Sequence, residues 1–206
     1  MIMDHIIVRV LARIFDLMLL NVLWLICSLP VVTIGASTTA LYAVTLKIVT
    51  NEEGYILRGF LDAFRKNLKQ SAVIWLILLA VGMALGMDFM IIRRIPGKLA
   101  FVGNVLTGAA AFLYLIEVIF VFPLIAKFEN TTVNMMKNAI LIPAARLPFM
   151  VLIIALTGMC VALTCLNEAT ILVGAVVWSL IGVSLLAFAN SFLLSEMFRP
   201  FIDKEL

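Results

Sequence analysis

Apolar residues run almost without interruption over 14–30, 34–49, 72–92, 101–126, 147–166 and 169–194, with charged and amide residues gathered between the runs. A helix of about 20 apolar residues crosses a ~30 Å hydrocarbon core. The pattern therefore predicts six transmembrane helices, the first two somewhat short. Two of the intervening stretches carry a different signal. Thr50 to Ser71 places Phe60, Leu61, Phe64 and Leu68 at helical spacing, opposite Arg58, Asp62, Arg65, Lys66 and Lys69. Lys127 to Arg146 places Met136, Ile140 and Pro143 on one side. Faces of this kind describe helices that lie in the membrane interface. A shorter amphipathic lead-in, with Asp4, His5, Arg9 and Arg13, precedes the first span. The expected fold is all-α: one polytopic membrane bundle over residues 1–206, with about six transmembrane helices and two cytoplasmic interfacial segments.

The stretch from Asn21 to Leu41 organises the rest. Its apolar run breaks at Pro30 and Gly35 and passes through Ser37, Thr38 and Thr39 before becoming apolar again. Proline cannot continue the helical hydrogen-bond ladder and glycine opens backbone angles closed to other residues, so the pair predicts a sharp hairpin whose freed backbone groups are met by side-chain hydroxyls. Asn21, Trp24, Pro30, Gly35, Thr38 and Thr39 are the expected hairpin core, with Asn21 and Trp24 on nearly one side of the first helix and small residues letting the second approach closely. The bend carries no Lys or Arg while both flanks are basic, which favours full crossing over a re-entrant hairpin.

Composition sets the solvent. With 65% hydrophobic and 13% charged residues, much of the folded surface must face lipid. A net charge of +3 would suit nucleic acid, but the basic residues flank apolar runs, where they anchor helices at anionic headgroups. The proposed inner segments hold twelve basic residues, Arg9 to Lys204, and the outer loops only Arg93, Arg94 and Lys98. This asymmetry predicts a multi-pass cell-membrane protein with both termini cytoplasmic. An uncleaved first helix is the simpler reading of the N-terminus, because its apolar run exceeds a usual signal core and further spans follow. The topology also discounts the sequon at Asn130, which falls inside.

The chemistry of common enzymes is not written here. The sequence has no phosphate-binding loop, no GxSxG elbow and no HExxH; its one histidine and its apolar Cys27, Cys160 and Cys165 form no ligand pattern. No catalytic residue, cofactor or metal is expected. Glu117 is the one acidic residue placed deep in a span, about ten residues, or roughly 15 Å, from Lys127. Intramembrane acids mark ion or proton sites. The alternative is a protonated acid hydrogen-bonded to Asn21, Asn104 or Asn190. The expected partner-docking residues are Phe60, Phe64, Lys66 and Asn67 on the first amphipathic segment, and Met136, Lys137 and Asn138 on the second. The two Lys-Asn pairs also hint at a decayed internal repeat.

Asn21, Trp24, Leu25, Ser28, Leu29, Pro30, Gly35, Thr38, Ala40 and Leu41, followed by Phe60, Phe64, Lys66-Asn67, FPLIAKFEN and KNAIL, resemble the signature of the YesL-type membrane proteins of Gram-positive bacteria. The resemblance implies an accessory role in carbohydrate uptake, since such proteins are typically encoded beside carbohydrate ABC importers. It brings no catalytic residues, and Glu117 is not part of the pattern. The chain lacks the Glu-Ala-Ala loop by which permeases of that kind engage their ATPase. The leading expectation is thus a non-catalytic subunit that binds the permease. An independent small-solute or ion transporter using Glu117 and a membrane regulator or assembly factor for sugar uptake are the alternatives.

Overall fold

The computed structural model describes residues 2–52, 54–94 and 98–202, with side chains from residue 8 onward except 98–100. The Pro96-Gly97 turn and Lys204 lie outside the described residues, as do the side chains of Asp4 and His5. Helix α1 runs Ile2–Ser28, a 3-10 turn covers Val31–Thr33, and α2 is Ile34–Val49. Then come α3 (Ile56–Ile92), α4 (Lys98–Lys127), α5 (Thr132–Ala145), α6 (Leu147–Thr164), α7 (Glu168–Val177) and α8 (Val183–Ile202), the last two joined by a π-helical turn at Trp178–Gly182. Among the described residues, six stretches are long and apolar enough to cross a membrane: Val8–Ser28, Val31–Val49, Ile56–Ile92, Phe101–Lys127, Leu147–Thr164 and Glu168–Ile202. The all-α membrane bundle is the fold.

Two boundaries differ from the sequence pattern, and the first is at the N-terminal end, where the amphipathic lead-in and the first span form one helix, α1. The first interfacial segment and the third span are not separate either: α3 is a single helix of 37 residues, about 55 Å long. Nothing between Gly59 and Gly82 can end it, and it buries Phe60 near its start and Ser71, Ile74 and Leu78 further along. The second amphipathic segment does form its own helix, α5, begun by Thr131, whose hydroxyl accepts from Asn134 N–H at 3.4 Å. At α7 the polar turn becomes a capping box, Asn167 accepting from Thr170 N–H at 2.9 Å and Thr170 Oγ1 from Asn167 N–H at 2.9 Å. These bonds satisfy donors that a helix start leaves open. At the other end α8 continues to Ile202 and buries Met197 and Phe198 fully.

Helix α2 is the axis of the bundle, with ten of its sixteen residues buried. It packs against α1, α3, α4 and α8. One apolar cluster joins Phe60 of α3 to Leu17, Leu20, Leu41 and Val44. A second gathers Ile74 and Leu78 with Phe120, Leu124, Met135, Ile153, Leu194 and Phe198. Burial then stops abruptly. No residue of α3 after Leu78 and none of α4 from Phe101 to Leu115 is buried, so the far halves of these two helices stand out as a paired arm.

Candidate functional site

Three sets of residues were singled out by sequence, and the structure treats each differently. In the hairpin, Pro30 sits extended (φ −74°, ψ 118°) ahead of the 3-10 turn. Thr33 Oγ1 donates to the carbonyls of Cys27 (2.6 Å) and Pro30 (2.8 Å), as the hydroxyl-rich sequence predicts. Trp24 Nε1 donates to Thr38 Oγ1 at 3.1 Å, tying α1 to α2, and Thr39 and Ser71 hydroxyls pair at 2.9 Å, tying α2 to α3. Gly35 is where three helices meet: a Cβ there would lie 2.6 Å from the Ser71 carbonyl oxygen and 2.8 Å from both Phe122 Cε1 and Trp75 Cβ.

Asn21 is not a hairpin residue in the way its position suggests. It is fully buried against the last span, its Nδ2 donating to the carbonyls of Trp178 (3.0 Å) and Ser179 (2.7 Å) and its Oδ1 accepting from Ser184 N–H (3.0 Å). Trp24, three residues on, faces α2 instead. The side shared with Trp24 on a helical wheel spans about 60°, enough to divide two side chains between two neighbouring helices. Ser184 Oγ closes the junction by donating to Leu17 O at 2.7 Å.

Glu117 lies in α4 with 6% of its surface exposed, and neither carboxyl oxygen has a hydrogen-bond partner. The contacts Trp75–Phe122 (ring centroids 6.1 Å) and Gly82–Tyr114 set the antiparallel register of α3 and α4, and Glu117 falls between them. Two of the three asparagines expected to hold it are occupied elsewhere, Asn21 on the π turn and Asn190 donating to Thr157 Oγ1 at 3.1 Å, and the third, Asn104, lines the groove between α3 and α4. Asn190 Oδ1 is a further buried acceptor without a partner.

Three of the expected docking residues are turned inward. Phe60 is fully buried beneath α1 and α2, and Phe64, stacked on it at 6.4 Å, packs on the same cluster. Met136 leans on the core beside the buried Met135. The apolar stripe that looked interfacial is thus protein-facing, because α2 lies along it. The polar members remain at the surface and come together. Lys66 and Asn67 line a groove of about 330 Å³ with Lys47, Asp62, Lys127 and Glu129. Asn138 lines an adjoining one of about 390 Å³ that also contains Glu129. Lys137 is exposed on α5.

Lys66 pairs with Glu129 rather than with Asp62 one turn before it, and Gln70 Nε2 donates to Asn130 O at 2.8 Å. The Lys66 hydrogen bond and charge hold the Glu129 carboxyl below its ordinary range. A carboxylate depressed on folding contributes stability that is full above its unfolded pKa and is lost as pH falls through the lowered folded value. The difference in thermal stability between wild type and Glu129→Gln is therefore expected to be small, present near neutrality and gone in acid. Melting curves between about pH 3 and pH 7 check this. A difference that persists unchanged in acid would refute the ion-pair assignment.

Fold and geometry define a polytopic helical membrane protein built on a central hairpin. Residues 17–89 match the family model described as protein of unknown function, DUF624. That segment holds the hairpin core, Phe60, Phe64, Lys66 and Asn67, and leaves out Glu117 and α5. No curated protein and no solved structure matches the chain.

Proposed function

We propose that the protein is a non-catalytic accessory subunit of a carbohydrate ABC importer, acting by binding the permease. The importer enters through the resemblance to YesL-type proteins. The observation that carries the binding role is the bare arm of α3 and α4. Its two halves form a groove of about 350 Å³ lined by Gly82, Gly86, Asn104, Thr107, Gly108 and Tyr114. A Cβ at Gly86 or Gly108 would meet nothing within 4 Å, so the groove is open to another membrane helix. The polar grooves around Glu129, on the side that the charge asymmetry assigns to the cytoplasm, offer a second contact.

Affinity purification of the tagged protein from its host in mild detergent, followed by mass spectrometry, tests this reading. Permease and ATPase subunits in fixed ratio are expected, and Gly108→Leu should release them while leaving the protein folded. Recovery without any importer subunit would count against it.

A second reading, transport in its own right, rests on the unpartnered carboxyl of Glu117. A buried polar group without a partner costs about 1–3 kcal/mol. Glu117→Met is therefore expected to raise the melting temperature. If the acid works in transport, Glu117→Gln abolishes flux in proteoliposomes at unchanged or higher stability. Wild-type vesicles that move neither sugars nor cations would end this reading.

A further inference from the structure

The height of the α1–α2 turn is fixed by a bond across the bundle: the Trp75 indole N–H donates to the Val31 carbonyl at 2.7 Å. Gly35, four residues on, is pressed against Ser71 and Trp75. Trp75 is 17 positions short of the end of α3 at Ile92, about 25 Å along the helix. The contacts lower down agree, since Leu17 and Leu20 share a cluster with Phe60. Helices α1 and α2 therefore lie along the first half of α3, and the arm beyond Leu78 is bare because the hairpin does not reach it.

The sequence of the two short helices says the same. Charge in α1 ends at Asp16, leaving Leu17 to Leu29 uncharged, 13 residues or about 20 Å. Val31 to Leu46, before Lys47, is 16 residues or about 24 Å. Counted by uncharged length each falls short of a ~30 Å hydrocarbon core, and the lengths of Val8–Ser28 and Val31–Val49 suffice to cross only with their charged residues included. Ala72 to Ile92 of α3, by contrast, gives 21 residues or about 31 Å, with Asp88 its one charge.

The chemistry of the turn fits a tip that water does not touch. Cys27 and Pro30 carbonyls accept from Thr33 Oγ1, the Pro30 carbonyl also accepts from Thr33 N–H at 2.9 Å, and the Val31 carbonyl accepts from Trp75. A loop at an aqueous face has water for these groups; irregular backbone at membrane depth must find partners in the protein. The exposed side chains at the tip are Leu29, Pro30, Val31 and Val32, all apolar, with Leu29 80% exposed.

We propose that α1 and α2 form a re-entrant hairpin that enters and leaves the bilayer through the face at which α3 begins, its tip ending in the hydrocarbon. The lack of Lys and Arg in the bend, which favours a crossing when counted as a loop, is met equally by a tip that touches no aqueous phase. Both termini stay on one side. The assignment is independent of the partner proposed above.

Single cysteines at Leu29 and Arg94, in a background with Cys27, Cys160 and Cys165 replaced by alanine, test it with a membrane-impermeant thiol reagent on sealed vesicles of each orientation. Both positions are exposed, so neither change disturbs packing. Arg94→Cys is expected to react from one side. Leu29→Cys should not react from that side, and a nitroxide placed on it should report hydrocarbon depth by its accessibility to oxygen over a water-soluble relaxant. Reaction of Leu29→Cys from the same side as Arg94→Cys, or headgroup depth on that side, overturns the proposal.

Discussion

Gly35→Ala is expected to destabilise the protein by about 1–3 kcal/mol, the usual cost of overpacking a well-filled interior. For a chain of this size that is a fall of several degrees in melting temperature in detergent, at about 2–4 °C per kcal/mol. The reason is the nature of the neighbours. The added methyl would meet the Ser71 carbonyl oxygen at 2.6 Å, and that oxygen belongs to the backbone of α3, which cannot swing aside. Relief needs α2 to move from α3 and Phe122 together, which weakens the Thr39–Ser71 bond and the seat of Trp75 on Val31. Two other glycines calibrate the effect. At Gly82 the clash is with the Tyr114 hydroxyl, the far end of a side chain that can rotate away, and at Gly86 there is open space. Thermal denaturation should rank Gly35→Ala well below Gly82→Ala, with Gly86→Ala close to wild type. Equal stability of Gly35→Ala and Gly86→Ala would show that the three helices do not close on Gly35.

What a single sequence shows of such a protein follows from what lipid demands. Hydrocarbon requires long apolar runs, so the helices were legible, and a proline and a glycine inside such a run announce a turn that needs side-chain hydroxyls. Which face of a helix meets lipid and which meets protein is harder, because apolar residues serve both. That is why Phe60 and Phe64 looked like an interfacial stripe while they are roofed by α1 and α2. The unbroken α3 could have been read from the absence of any breaker between Gly59 and Gly82; the abrupt change from charged to apolar residues near Ser71 suggested a boundary that belongs to the membrane and not to the helix. Glu117 stood out as the acid within an apolar run, yet its lack of a hydrogen-bond partner depends on where Asn21 and Asn190 point. Asn21 bonds residues more than 150 positions away, and the π turn that receives it carries no signal in the hydrophobic pattern.

That junction carries the second large effect. A π turn widens the helix, and the carbonyls of Trp178 and Ser179 are met by the two N–H groups of one amide, whose oxygen takes the Ser184 N–H in return. Asparagine suits the place because it supplies two donors and an acceptor on a short stem. Asn21→Leu keeps the branching and the number of side-chain heavy atoms, in a somewhat larger volume, and removes all three bonds. Interhelical hydrogen bonds in membranes are worth about 0.6–2 kcal/mol each, so a loss of about 2 kcal/mol or more is expected, read as a lower melting temperature. Asn21→Asp should be worse, since a carboxylate would face two carbonyl oxygens and would have to take up a proton to donate even one bond. Ser184→Ala should cost less than either, because it removes the Oγ bond to Leu17 and leaves the amide in place. The order Asp below Leu below Ala at these two positions is the signature of an amide that bridges α1 to an opened turn. Wild-type stability in Asn21→Leu would mean that the turn satisfies its own carbonyls and that α1 is held to the last span by apolar packing alone.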